Sequence, residues 1–206
     1  SSDDAKESVK DLGNELIELA AGAAAVEGIG GVIEKALETS SINTKIELTF
    51  DISEESTKSV KEAINSVRAY GVDAEEALEG VRRQWALNKD LSDESNASVV
   101  KSAGAIVSAY SEIDFTELIQ ESNELSKNLN ISNEDALAMV NSLLKVGFPA
   151  DQLDIITEYG SQLARAGYNA EEIQAIMAAG VNTGSWNIDV LLDGLKEGRI
   201  VLTEFG

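Results

Sequence analysis

Along most of this chain apolar residues return every three or four positions, the interval of one helix face, and polar residues fill the gaps. After Ser53 the inward set is Val60, Ala63, Ile64, Val67 and Tyr70. After Asp73 it is Ala77, Leu78, Val81 and Trp85, and after Ser92 it is Val99, Val100, Ala103, Ile106, Val107 and Tyr110. Asp114, with Ile113 before it and Glu117 three residues on, opens a helix carrying Leu118, Leu125 and Leu129. A last short helix holds Ile188, Leu191, Leu192 and Leu195 before Gly198. Ser, Asp and Asn at these starts accept hydrogen bonds from the free N–H groups of a first turn, which is why they punctuate rather than interrupt the pattern.

From Leu129 to Gly180 one phrase recurs: a helix stop, an apolar residue, a cap and a new helix. It reads Ile131-Ser132-Asn133-Glu134-Asp135-Ala136-Leu137, then Gly147-Phe148-Pro149-Ala150-Asp151-Gln152-Leu153, then Gly167-Tyr168-Asn169-Ala170-Glu171-Glu172-Ile173, with an earlier copy beginning Gly71-Val72-Asp73. Gly supplies the left-handed backbone that ends a helix, and the apolar residue after it packs back on the last turn. Asp73, Ser132 and Asn169, with Glu76, Asp135 and Glu172 three residues on, have the spacing of a capping box. Phe148 with Leu153, and Tyr168 with Ile173, have that of a hydrophobic staple.

Two stretches break the helical period. Thr44 to Ile52 alternates strictly, Ile46, Leu48, Phe50 and Ile52 against charged and hydroxyl residues, and this predicts a short strand. Its partner is either Arg199 to Phe205, the one comparable stretch, or its own copy in another subunit; alternatively the segment marks the joint between an arm and the body. Before it, Val9, Leu12, Leu16 and Leu19 predict a helix, followed by a run of small residues from Ala20 to Val32 and a resumed helix through Ile33, Ala36 and Leu37. That run is shorter than the roughly 20 apolar residues a membrane span needs, and Glu18, Glu27 and Glu34 bracket or interrupt it.

The expected fold is therefore mainly α: an array or bundle of about eight to ten short capped helices, with an N-terminal helical arm and one or two short strands. The boundaries read as an arm over residues 1–41, a strand or connector over 42–52 and a compact helical domain over 53–206. Composition agrees, with 43% hydrophobic residues, enough for a core, and a single proline, Pro149.

Charge narrows the chemistry. The net charge is −21, with acids spread along the chain, and such a surface repels phosphate, which argues against specific nucleic-acid binding and against charge-driven binding to anionic lipid. No Cys and no His are present, which removes thiol nucleophiles, Ser–His catalysis, Cys/His zinc sites and disulfides. No secretory signal opens the chain, whose first residues are polar and acidic; its abrupt ends are those expected of a piece of something longer.

The remaining candidates read as structural. Glu75/Glu76, Glu134/Asp135 and Glu171/Glu172 are paired acids, but each pair lies in a helix first turn, where the dipole favours acids without any catalytic role. Asn88 to Ser95 resembles a calcium loop only in part, since Gly is missing at the sixth position and Lys101 stands where the closing Glu belongs; it reads as a capped turn. Gly28-Ile29-Gly30-Gly31 lacks the Lys-Ser/Thr of a phosphate loop. Trp186, after Gly180 to Ser185, anchors a loop against the core or carries partner recognition. No catalytic, cofactor-binding or metal-binding residue is expected, and no cofactor.

Through Ile113 to Glu121, Gly147-Phe148-Pro149, Glu158-Tyr159-Gly160, Ala166-Gly167-Tyr168 and Ala179 to Asn187, and further back through Ile52 to Ser56 and Tyr70 to Val81, the sequence resembles tail tape measure proteins of phages and prophages of low-GC Gram-positive bacteria. The resemblance covers most of the chain and implies a structural, non-enzymatic role. Such proteins set tail length during assembly, lie in the tail tube with tube and chaperone proteins as partners, and leave before or with the DNA. It further implies self-association and membrane contact for a longer parent protein, and location in the virion tail after assembly in the host cytoplasm. Some family members carry cell-wall hydrolase domains; nothing here matches one. The rival reading is an acidic helical adaptor that holds a protein partner through its surface or the loop at Trp186, and a hydrolase built on an acid pair comes third.

Overall fold

The computed structural model describes residues 43–184 and 192–194, which are mainly helical and, among themselves, include no strand. The helices are α1 (residues 43–49), α2 (Glu54–Ala69), α3 (Ala74–Leu87), α4 (Asp93–Ala109), α5 (Phe115–Leu129), α6 (Asn133–Lys145), α7 (Leu153–Arg165, entered through a 3₁₀ turn at Ala150–Gln152) and α8 (Ala170–Thr183). Residues 192–194, part of the last expected helix, are also helical. The arm over 1–41, the small-residue run, the strand at 199–205 and the Trp186 loop lie outside the described residues.

The strand expected at 44–52 is corrected. Residues 43–49 are a helix, with the Phe50 N–H returning to the Ile46 carbonyl at 2.9 Å and the Thr49 hydroxyl donating to the Lys45 carbonyl at 2.7 Å. A lone strand leaves its backbone groups unpaired, whereas a helix satisfies them within the segment. The apolar alternation does not define one buried face: Ile46 is buried, but Leu48 is 80% exposed.

The described residues form two compact units, 43–120 and 121–184 with 192–194. In the first, α2 packs chiefly on α4, and α3 lies against both. Helix α4 is buried almost continuously from Val99 to Ile106, and its small residues Ser102 to Ala105 allow neighbours to approach on more than one side. Beside them, a Cβ on Gly104 would stand only 3.1 Å from the Tyr70 ring. Val60, Ala63, Ile64 and Val67 from α2, Ala77, Val81 and Trp85 from α3 and Phe115 from α5 complete this core.

In the second unit α6 takes the central place, with nine of its 13 residues buried, and α8 packs on it and on α7. Leu125, Leu137, Leu143, Ile156, Leu163, Ile173 and Met177 fill the interior. Of the residues expected as staples, Phe148, Leu153 and Ile173 are buried and Tyr168 is half-buried.

The helix ends follow the predicted phrase. Gly147 and Gly167 adopt φ 108° and 103°, and the residue after each donates its N–H to a carbonyl five residues back, Phe148 to Leu143 and Tyr168 to Leu163. Asn130, at φ 55°, does the same work without glycine: the Ile131 N–H reaches the Ser126 carbonyl at 3.0 Å. Side chains of Ser53, Ser92, Asp114, Ser132 and Asn169 cap their helices, and at Asn169 the box is complete because Glu172 accepts the Asn169 N–H in return. Asp73 departs from expectation: it makes no side-chain cap bond, and Glu76, its intended partner, turns to another helix.

Candidate functional site

The paired acids come first. Glu75 reaches Lys45 at 3.3 Å on the surface, and Glu76 Oε1 accepts the Phe115 backbone N–H at 2.7 Å. Asp135 offers its own N–H to the Ser132 cap, and Glu172 closes the box on Asn169. Glu76 and Glu172 thus spend a carboxylate oxygen on a backbone N–H at a helix start, and Glu75 pairs with a surface lysine. The stretch Asn88 to Ser95 is the expected capped turn, with the Leu91 N–H on the Asn88 carbonyl at 3.1 Å and Ser92 capping α4. Among the described residues, no group of three or more acids stands together to hold a metal ion, and no helix is long and apolar enough to cross a membrane.

A concave feature lies in the first unit, where the irregular segment Phe50 to Ile52 runs past the C-terminal turn of α3 and the start of α4. It is a cleft of about 330 Å³ lined by apolar Phe50, Ile52, Trp85 and Leu91 and by charged Asp51, Arg82, Lys89 and Asp93. Asp93 fixes the floor. Its Oδ1 accepts the Trp85 indole N–H at 3.0 Å and its Oδ2 accepts the Ser56 hydroxyl at 2.9 Å, so one carboxylate ties α2, α3 and α4 together. A charge-assisted acceptor of this kind holds both donors more firmly than a neutral one.

Behind the cleft runs a buried amide ladder. Gln84 Nε2 donates to Asn96 Oδ1 at 3.0 Å, Asn96 Nδ2 to the Asn88 carbonyl at 3.2 Å, and Asn88 Nδ2 to the Gln84 carbonyl at 3.0 Å. Gln84 Oε1 alone is left without a partner. The ladder joins the last turn of α3 to the first of α4 and holds the turn that carries Lys89 and Leu91.

On the flank, Glu79 receives Arg82 at 2.9 and 2.7 Å and Arg83 at 3.0 Å, while Arg83 also donates to Gln120 at 2.7 Å. The Arg82 hydrogen bonds, with Arg83 in support, hold the Glu79 carboxyl down at about 2, so it stays ionised and does not serve as a proton donor near neutral pH. Arg82 is held more firmly charged in turn by Glu79, and it lines the cleft. With no His in the chain, no imidazole stands beside the Ser56 hydroxyl, whose proton is instead directed to Asp93.

The cleft was not legible in the sequence. Trp85 reads as an inward residue, and that holds, while Asp93 falls in the stretch Asn88 to Ser95 that reads only as a capped turn. Their meeting depends on the turn between α3 and α4, for which no motif exists. No protein-family model, curated protein or solved structure matches this chain.

Proposed function

We propose that this chain is a structural segment of a phage or prophage tail tape measure protein, one that helps set tail length, works with tail tube and assembly chaperone proteins, and takes part in DNA delivery. What carries the reading is the series of phrases from Ile113 to Glu121, Gly147 to Pro149, Glu158 to Gly160 and Ala166 to Tyr168, which resemble that family and, apart from Glu158 to Gly160 inside α7, fall at helix starts and ends. In keeping with it are the acidic, mainly helical make-up and the use of Glu76 and Glu172 at helix starts. The test is tail length by electron microscopy after in-frame deletion of residues 53–206 in the phage that encodes the chain. A segment drawn out as helix shortens the tail by about 1.5 Å per residue, roughly 230 Å in all. Tails of unchanged length that fail to infect would move the role from ruler to delivery or partner binding.

The second reading, a helical protein-binding module, is favoured by the cleft beside Trp85, whose mixed lining suits a peptide side chain better than a reaction. Retention of a tail protein by the parent chain, and its loss with Leu91→Asp at the rim, would support this reading over the first.

A further inference from the structure

Four alternate helices begin alike, and α5 between them is also capped, by Asp114. Ser53, Ser92, Ser132 and Asn169 each sit in extended backbone and accept, through the side chain, the N–H three residues on. They open α2, α4, α6 and α8 and stand 39, 40 and 37 residues apart. Each interval contains one more helix, α3, α5 or α7, which starts 21 to 23 residues after the cap.

Burial keeps the same register. The seventh residue after each cap is Val60, Val99, Met139 or Ile176, and the eleventh is Ile64, Ala103, Leu143 or Gly180; all eight are buried. In the first unit the likeness reaches single bonds, with Ser53 to Ser56 hydroxyls at 3.2 Å and Ser92 to Ser95 at 3.0 Å. In the second, the left-handed residues Asn130 and Gly167 are 37 apart, as are Gly147 and Gly184. Like helices also pack on like, α2 on α4 and α6 on α8. Helix lengths of 13 to 17 residues and connectors of three to seven would scatter these positions if each helix were independent.

We infer that the chain is a tandem array of a helix-pair module of 37 to 40 residues, begun at Ser53, Ser92, Ser132 and Asn169, and that one module is the step by which the chain can be shortened or lengthened without losing its fold. Removing a whole module leaves each cap, stop and inward residue at its proper angle, because the residue after the junction takes over the register of the one removed.

Three deletions in the full chain test this. The first removes residues 132–168 and joins Ile131 to Asn169 at a connector. The second removes 140–176 and joins Met139 to Met177 inside a helix, again 37 residues. The third removes 140–174 and turns every following residue of that helix by about 200°. Expected are soluble first and second variants that keep the parent's helical circular dichroism per residue and melt in one cooperative transition, and a third that has lost the transition. If all three behave alike, folded or unfolded, or if only the connector-joined variant folds, the module is not the unit of the fold. The tail-length reading is separate: a phage carrying the first deletion should have a tail shorter by roughly 55 Å. A folded variant in a tail of unchanged length would count against the tape measure role and leave the module standing.

Discussion

Glu76 and Phe115, 39 residues apart, are joined by a 2.7 Å hydrogen bond in which the carboxylate of α3 accepts the first backbone N–H of α5. One turn further along α3, Gly80 leaves the space that the Phe115 ring fills, so neighbouring turns of one helix supply both the cap and the seat of another. An N–H at a helix start has no partner within its own helix, which is why a carboxylate from elsewhere is useful there.

Glu76→Ala should therefore cost about 1–2 kcal/mol of stability, the range for losing a cap to a part-buried donor. Urea unfolding at pH 7 reads the difference, and Glu76→Gln should recover part of it. A loss no larger than that of Glu75→Ala, whose carboxylate is 79% exposed, would mean the bond is not formed in solution.

Gly80→Ala should destabilise although alanine is the better helix former. A Cβ there would run into the fully buried Phe115 ring, and overpacking of this kind costs about 1–3 kcal/mol against a propensity gain of about 1. Phe115→Leu in the same chain should relieve part of the loss. Gly160→Ala is the contrast, since its Cβ would meet only the tip of Leu125 at 3.0 Å, and it should stay within about 1 kcal/mol of the parent.

The Tyr70 hydroxyl is buried without a partner, and burial pushes its ionisation up to about 12. Tyr70→Phe removes an unpaired polar group, so at pH 7 it should be neutral or stabilising by about 1 kcal/mol. Between pH 10 and 12 the unfolded chain ionises this phenol while the folded chain resists, so the parent loses stability across that window and the variant loses less. Unfolding in urea at pH 7 and pH 11 checks both signs; an equal loss in the two proteins would exclude Tyr70 as its source.

Glu79 works in the other direction. Its carboxyl is held at about 2 against a usual 4.5, so its pairing with Arg82 and Arg83 stabilises fully above pH 4.5 and is lost as the pH falls toward 2. Because all three side chains are more than a third exposed, solvent screening limits the effect to a few tenths of a kcal/mol, up to about 1. Glu79→Gln should flatten the acid limb of stability against pH by that amount, and 1 M salt should shrink the difference between the two proteins.

These features differ in how far the sequence announces them. Helices and their inward faces are legible because Val60, Ala63, Ile64 and Val67 obey a period the backbone enforces, and Ser92 or Asn169 acts within four residues of itself. Asn130 is legible only from its place before Ile131 and Ser132, since left-handed backbone normally asks for glycine. At Ile46 the pattern misleads, because alternation over nine residues predicts a strand only if another strand stands beside it. Glu76 with Phe115 and Trp85 with Asp93 are hidden because the partners meet only after helices pack, and no local spacing encodes which of several first-turn acids faces inward.

The connectors between α2 and α8 hold three to seven residues, and those before α6 and α8 are pinned by a left-handed residue at one side and a side-chain cap at the other. Pulled from its ends, such a chain has almost no slack to give before a helix must break. Tension would then be released in steps of whole helix pairs, each freeing up to about 120 Å of extended chain over 37 residues. A molecule built this way yields length in increments under load, and between increments it holds.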